Sequence, residues 1–202
     1  LRIKKKYEIP FIFDMRGFWA DERIDGGLWK LSNPIYRIIY KYFKKKEIEL
    51  IKRSDFIVSL TAKAKEIILG FKNITIKPEK ISIIPCCADL EHFNYEKCEN
   101  SIVKFRDKVG IGAEKFVVSY LGSTGTWYML DEMIEQFKMF KIRIPNSVFL
   151  IITQDDKNII LKRLIFHGLK SDDVIIREAS RNEVPEFLSL SNVSLSFIKP
   201  CF

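Results

Sequence analysis

The sequence predicts an α/β protein built of parallel strands in two lobes, and three observations carry that prediction. Short apolar runs of strand length alternate with segments of helical period along most of the chain. Most of these runs are apolar at consecutive positions, the pattern of strands covered by helices on both faces. One polar stretch, Ala88 to Ala113, interrupts the rhythm and divides the chain.

The strand candidates are Pro10 to Asp14, Phe56 to Leu60, Ile81 to Ile84, Phe116 to Leu121, Val148 to Thr153, Val174 to Ile176 and Val193 to Ile198. Each is rich in Ile, Val or Phe and is bounded by Asp, Gly, Pro or Asn. Ser32-Asn33-Pro34 signals a helix start, a capping residue before a proline in the first turn, and Ile35, Ile38, Ile39, Tyr42 and Phe43 follow at helical spacing. Thr61 opens a helix to about Leu69, and another starts near Met129 with Leu130, Met133, Ile134 and Phe137 on one stripe. Asp155 is expected to open a helix to about His167, and Asn182 with Pro185 one to about Leu190.

At about 100 to 200 residues per domain, 202 residues make one large domain or two small ones. A hydrophobic fraction of 47% with 30% charged residues excludes disordered and fibrous classes. The longest apolar runs, such as Val148 to Ile152, fall far short of the roughly 20 residues that a membrane-spanning helix needs. The surplus of 34 Lys+Arg over 26 Asp+Glu is spread along the chain without a nucleic-acid motif, so no nucleic-acid partner is expected. Cys86, Cys87, Cys98 and Cys201 have neither a disulfide framework nor a zinc-type spacing, and read as free or buried thiols of a reducing cytoplasm. The start at Leu1-Arg2-Ile3 reads as a cut end.

Three features are able to carry chemistry. Gly122-Ser123-Thr124-Gly125 follows a strand and precedes a helix, where backbone N–H groups can approach a phosphate; a plain tight turn uses glycine in the same way. Asp14, Arg16, Asp21, Glu22, Arg23 and Asp25 crowd the segment after the first strand among Phe18, Trp19 and Trp29, at the strand ends where α/β sheets bind ligands. Arg37, Lys41, Lys44, Lys45 and Lys46 make the Pro34 helix basic, suited to an anionic lipid surface or simply to solvent. His92 and His167 lie in no metal-binding or nucleophilic pattern and read as structural, and no metal is expected.

The order of segments resembles the nucleotide-sugar glycosyltransferases of family 4 (group 1), which have the GT-B fold. The stretch Phe13 to Glu22 with Gly26-Gly27-Leu28-Trp29 is similar to a loop of a bacterial polysaccharide-synthesis subgroup. Ile81 to Pro85 with Cys87-Ala88-Asp89-Leu90-Glu91-His92-Phe93 resembles the segment leading out of the N-terminal lobe, with Cys86-Cys87 in place of the usual Asn-Gly. Tyr120 to Tyr128 with Asp131-Glu132-Met133 resembles the glycine-rich opening of the donor lobe, and Glu183 to Leu188 a later helix of that lobe.

That resemblance implies two Rossmann-like lobes, both incomplete in this chain, which would be an internal fragment. Residues 1–90 would close the acceptor lobe, 91–113 link the lobes and 114–202 begin the donor lobe. The implied activity is sugar transfer from a nucleoside-diphosphate sugar to an acceptor hydroxyl in bacterial surface polysaccharide or glycoconjugate synthesis, with retention and without a cofactor beyond the co-substrate. Gly122, Ser123, Thr124 and Gly125 would face the donor phosphates, Asp14, Arg16, Asp21 and Glu22 the acceptor, and Arg177 and Glu178 the nucleotide base. Partners would be the nucleotide sugar, a glycan or lipid-linked acceptor and the inner face of a membrane.

The family's acidic motif, two glutamates eight apart, is not carried onto Glu178 and Glu186, which precede the place it occupies. The catalytic residues are therefore unassigned, and the 202-residue chain alone is expected to be inactive. Ser123 and Tyr128 stand where many members carry Arg and Lys, leaving backbone amides, hydroxyls and the helix dipole to hold the leaving diphosphate. A non-catalytic nucleotide- or partner-binding module and a nucleotide-sugar epimerase of the same fold are the alternatives.

Overall fold

A computed structural model describes residues 1–72, 74–125 and 127–199. The chain forms two compact units, one holding Leu1–Cys87 and the other beginning at Ala88. In the first unit, β1 (Ile12–Met15), β2 (Phe56–Ser59) and β3 (Ile81–Ile83) pair in parallel in that order. The helices are α1 (Arg2–Tyr7), α2 (Trp19–Asp25), α3 (Pro34–Arg53) and α4 (Ala62–Leu69). Asn33 accepts a hydrogen bond from the Ile35 amide ahead of Pro34, and Thr61 accepts one from Ala64, so both expected caps form.

Met15, Phe18, Ile51, Ile57, Ile68 and Ile81 make one core layer here. The expectation of strands buried on both faces fails in this unit. Ile12 and Phe56, paired in register, are 60% and 53% exposed. Alternate side chains of a strand point to opposite faces, and the neighbours Phe13 and Ile57 are the ones packed against this core.

The second unit has parallel strands in the order β6-β5-β4-β7, with β4 (Phe116–Leu121) and β5 (Ser147–Ile152) inside and β6 (Val174–Arg177) and β7 (Val193–Ser194) outside. All six residues of β5 are buried. Val118, Tyr120, Phe149 and Ile151 face α7 (Leu130–Arg143) and α8 (Lys157–Phe166) through Met133, Ile134, Phe137, Ile160 and Leu164. Val117, Val148, Leu150 and Ile152 face the opposite layer, built from Phe105, Val109, Ile111, Phe187 and Leu190. Helices on both sheet faces bury β4 and β5 at nearly every position, so apolar residues dominate both strands and only Ser119 and Ser147 interrupt them.

The segment 91–113, read from the sequence as a linker, contains α5 (Tyr95–Glu99) and α6 (Ile102–Val109) and supplies Phe105, Val109 and Ile111 to that core. The spacing of Ile102, Phe105 and Val109 and the left-handed Gly110 that ends the helix were legible signs of it. The last helix, α9, spans Val184–Ser189, and the strand expected to reach Ile198 is only Val193–Ser194. The segment expected as a long loop after the first strand holds α2, whose Trp19 lies 4.7 Å from Phe43 and 5.3 Å from Trp29 between ring centroids.

Candidate functional site

The β4–α7 turn starts at Gly122, whose φ of 150° lies in a region L side chains rarely adopt, and a Cβ there would sit 2.8 Å from the Tyr120 hydroxyl. Two contacts fix the turn's path. The Gly122 amide donates to the Ile152 carbonyl at 3.0 Å, and the Tyr120 hydroxyl donates to the Ser123 carbonyl. Tyr120 is fully buried, and burial, with smaller contributions from Tyr128 and Asp155, pushes its pKa up to about 12.

Past Gly122, the polar groups of the turn converge on one carboxylate oxygen. Asp155 Oδ2 accepts from the Thr124 amide, from Thr124 Oγ1 at 2.8 Å and from Ser123 Oγ at 3.0 Å. The Thr124 amide first, then the Thr124 and Ser123 hydroxyls, hold the Asp155 carboxyl below the usual carboxylate range. Asp155 was expected to open α8, but its neighbour Asp156 caps that helix by accepting from the Asn158 amide. Two adjacent acids after a strand, only one of which can cap, were the sequence signal for this division of roles. Gly122, Ser123, Thr153, Gln154 and Asp155 line a cleft of about 270 Å³, and none of the described residues lining it is Lys or Arg.

The other expected site residues are distributed differently. Arg177 points its guanidinium at the Val109 carbonyl, 2.8 Å away, and at its own preceding carbonyl, while Glu178 is exposed at the end of β6. The start of α7 carries Asp131 and Glu132 in its first turn, so its partial positive charge already faces carboxylates of its own. His167, at the end of α8, lies between Asp131 and Glu135 at 3.1 and 2.7 Å and ties α8 to α7.

In the first unit, Arg16 and Glu22 line one cleft of about 320 Å³ with Gly17, Thr61 and Lys63. Asp14 pairs with Arg16 at 3.0 Å. Asp21 is engaged elsewhere: it accepts from the Tyr40 hydroxyl at 2.8 Å and from Lys44 at 2.7 Å, and Lys44 also bridges to the buried Glu47. Burial pushes the Glu47 carboxyl up despite Lys44, and burial followed by the Asp21 contact raises Tyr40. Burial would lower Lys44, but its bonds to Asp21 and Glu47 outweigh that and raise it. This cluster pins α2 to α3.

Among the described residues, no group of His, Cys, Asp and Glu is placed to hold a metal ion, and no helix is long and apolar enough to cross a membrane. Cys86 and Cys87 are exposed free thiols and Cys98 a buried one, while Cys201 lies outside the described residues. No protein-family model and no curated protein matches the sequence.

Solved structures do match. WaaG, a glycosyltransferase involved in lipopolysaccharide biosynthesis, superposes with a TM-score of 0.68 at 18% identity over 98% of this chain and 55% of its own. A glycosyltransferase from Rickettsia africae superposes at 0.63 with 14% identity over 96% of this chain and 53% of its own. A trehalose-phosphate synthase from Burkholderia vietnamiensis matches at 0.50 with 14% identity over 74% of the chain and 40% of its own. The chain thus has the α/β fold of GT-B glycosyltransferases, with parallel sheets in Rossmann-like lobes, and spans about half the length of the first two.

Proposed function

We propose that the protein to which this chain belongs is a glycosyltransferase that moves a sugar from a nucleoside-diphosphate sugar to an acceptor hydroxyl, with retention of configuration, in bacterial surface polysaccharide or glycoconjugate synthesis. The observation that carries this reading is the β4–α7 turn, where an amide and two hydroxyls converge on one anionic oxygen. Such a set suits a diphosphate whose negative charge grows as the sugar departs. With no Lys or Arg among the described residues that line the cleft, these donors supply the stabilisation, and the Gly125 amide, which donates to Ser123 Oγ at 3.4 Å, joins them at the phosphates. Glu178 borders the nucleotide base, and Arg177 frames that border through its Val109 contact. Arg16, Asp14 and Glu22 meet the acceptor in the first unit, and Asp21 supports them by holding α2 to α3.

The full-length protein, incubated with UDP-, GDP-, ADP- and CDP-hexoses, should release nucleoside diphosphate only when a glycan or lipid-linked acceptor is present. Gly122→Ala, which would drive a methyl group into Tyr120, should cut that rate by about tenfold or more, since misplaced donors lose most of their effect. Saturable nucleotide binding without transfer would instead establish the binding module. Conversion of the nucleotide sugar without acceptor would establish the epimerase.

A peripheral contact with the anionic inner face of a membrane belongs to the same proposal. The outward side of α3 exposes Ile35 at 65%, Ile38 at 69% and Tyr42 at 56%, with Lys41 and Lys45 exposed beside them. An apolar stripe flanked by cations fits a lipid surface, where hydrocarbon and phosphate lie within a few ångströms of each other. Flotation with phosphatidylglycerol vesicles should carry the full-length protein upward, and the double variant Ile38→Ser/Tyr42→Ser should stay in solution. Equal flotation of both would reject the contact.

A further inference from the structure

We infer that Asp155 is an internal anion that occupies the donor set of the β4–α7 turn in the free protein and is exchanged for a diphosphate group when ligand binds. The inference rests on the reading of that turn as the diphosphate site. Three donors on one carboxylate oxygen reproduce what a phosphate oxygen would ask of the same turn. The site is therefore filled from within the chain, and a diphosphate meets a negative charge already seated on the hydrogen bonds it needs.

Two further observations separate such an occupant from a structural prop. The path of the turn is held without Asp155, by the Gly122 amide on Ile152 and by the Tyr120 hydroxyl on Ser123. The helix that Asp155 precedes is capped by Asp156, so Asp155 is not needed there either. Its own amide is tied to Thr153 Oγ1 at 3.1 Å, and its side chain is part-exposed, so a rotation about its side-chain bonds moves the carboxylate into water. Among the described residues that line the cleft there is no Lys or Arg beside its charge. The carboxylate thus competes for the donors and also repels the incoming anion, and the apparent affinity falls with the fraction of molecules in which it has left.

Binding of inorganic pyrophosphate to the full-length protein, measured by calorimetry for wild type and Asp155→Asn, tests this. The asparagine keeps the size of the side chain and removes the charge, so pyrophosphate should bind about tenfold more tightly to the variant. Amide exchange at Thr124 gives a second readout. It should be slow in free wild type, faster in free Asp155→Asn and slow again when the variant is saturated with pyrophosphate. Equal or weaker binding by the variant, with Thr124 exchange unchanged, overturns the inference while leaving the diphosphate site standing. Absence of pyrophosphate binding in both proteins overturns the site itself and the inference with it.

Discussion

Phe56 in β2 and Phe149 in β5 occupy apolar strands that look alike in sequence, yet Phe56 is more than half exposed and Phe149 is fully buried. The difference lies in what covers each sheet. In the second unit, helices pack on both faces and every residue of β5 is enclosed, whereas the core of the first unit lies on one side of β1 and β2. An apolar residue stabilises only as far as it leaves water. The better-buried unit is also the one that presents the hydrogen-bonded β4–α7 turn, where Gly122 takes a φ that glycine adopts freely and L side chains rarely do.

The largest test of this contrast is truncation in the two strands. Phe149→Ala should cost about 3–5 kcal/mol in urea unfolding of the second unit, whereas Phe56→Ala should cost under about 1 kcal/mol in the first. Similar losses at both positions would break the comparison.

The turn itself should give an intermediate effect. Gly122→Ala combines a disfavoured φ with a 2.8 Å approach to the Tyr120 hydroxyl and should destabilise by about 1–3 kcal/mol. Tyr120→Phe removes that hydroxyl, so the double variant should lose less than the sum of the two single ones. Strict additivity would mean that the tyrosine does not confine the turn.

The smallest effect is in acid, and its sign differs between the units. Asp155 has a depressed pKa, so its contribution is present above the ordinary value of 3.8 and is lost as pH falls through its folded-state value. Glu47 in the first unit has a raised pKa. Wild type should therefore gain stability relative to Glu47→Gln as pH falls through that raised value, the gain being complete below the ordinary 4.5. Denaturant melts of Asp155→Asn and Glu47→Gln against wild type at pH 7 and at pH 3 should show the two differences moving in opposite directions. Movement in the same direction would contradict the assigned environments.

Much of the fold was legible in the residues. Apolar runs at 56, 81, 116, 148 and 174 became strands, and Asn33 and Thr61 capped the helices they preceded, because local hydrogen bonding and hydrophobic period act over only a few residues. The helices at 95–109 are faint in the sequence because polar residues outnumber apolar ones there, and only Ile102, Phe105 and Val109 on α6 mark the stripe that packs on the core. Of the site, Gly122 to Gly125 was legible as a strand-to-helix turn. Asp155 was not, since Ser123 and Asp155 stand 32 positions apart and meet only because β4 and β5 are neighbours. Asp21 was read as facing substrate, but Lys44 and Tyr40 claim it once α2 packs on α3.

By itself, then, the sequence determined the alternation of strands and helices, the caps and the glycine that the turn requires, all of them consequences of local geometry. Only the tertiary structure decided which strand faces are covered, which of Asp155 and Asp156 caps a helix, and which donors meet which acceptor. Those outcomes depend on groups far apart in the chain, whose distances are set by the order of strands in the sheet and by the helices packed against it.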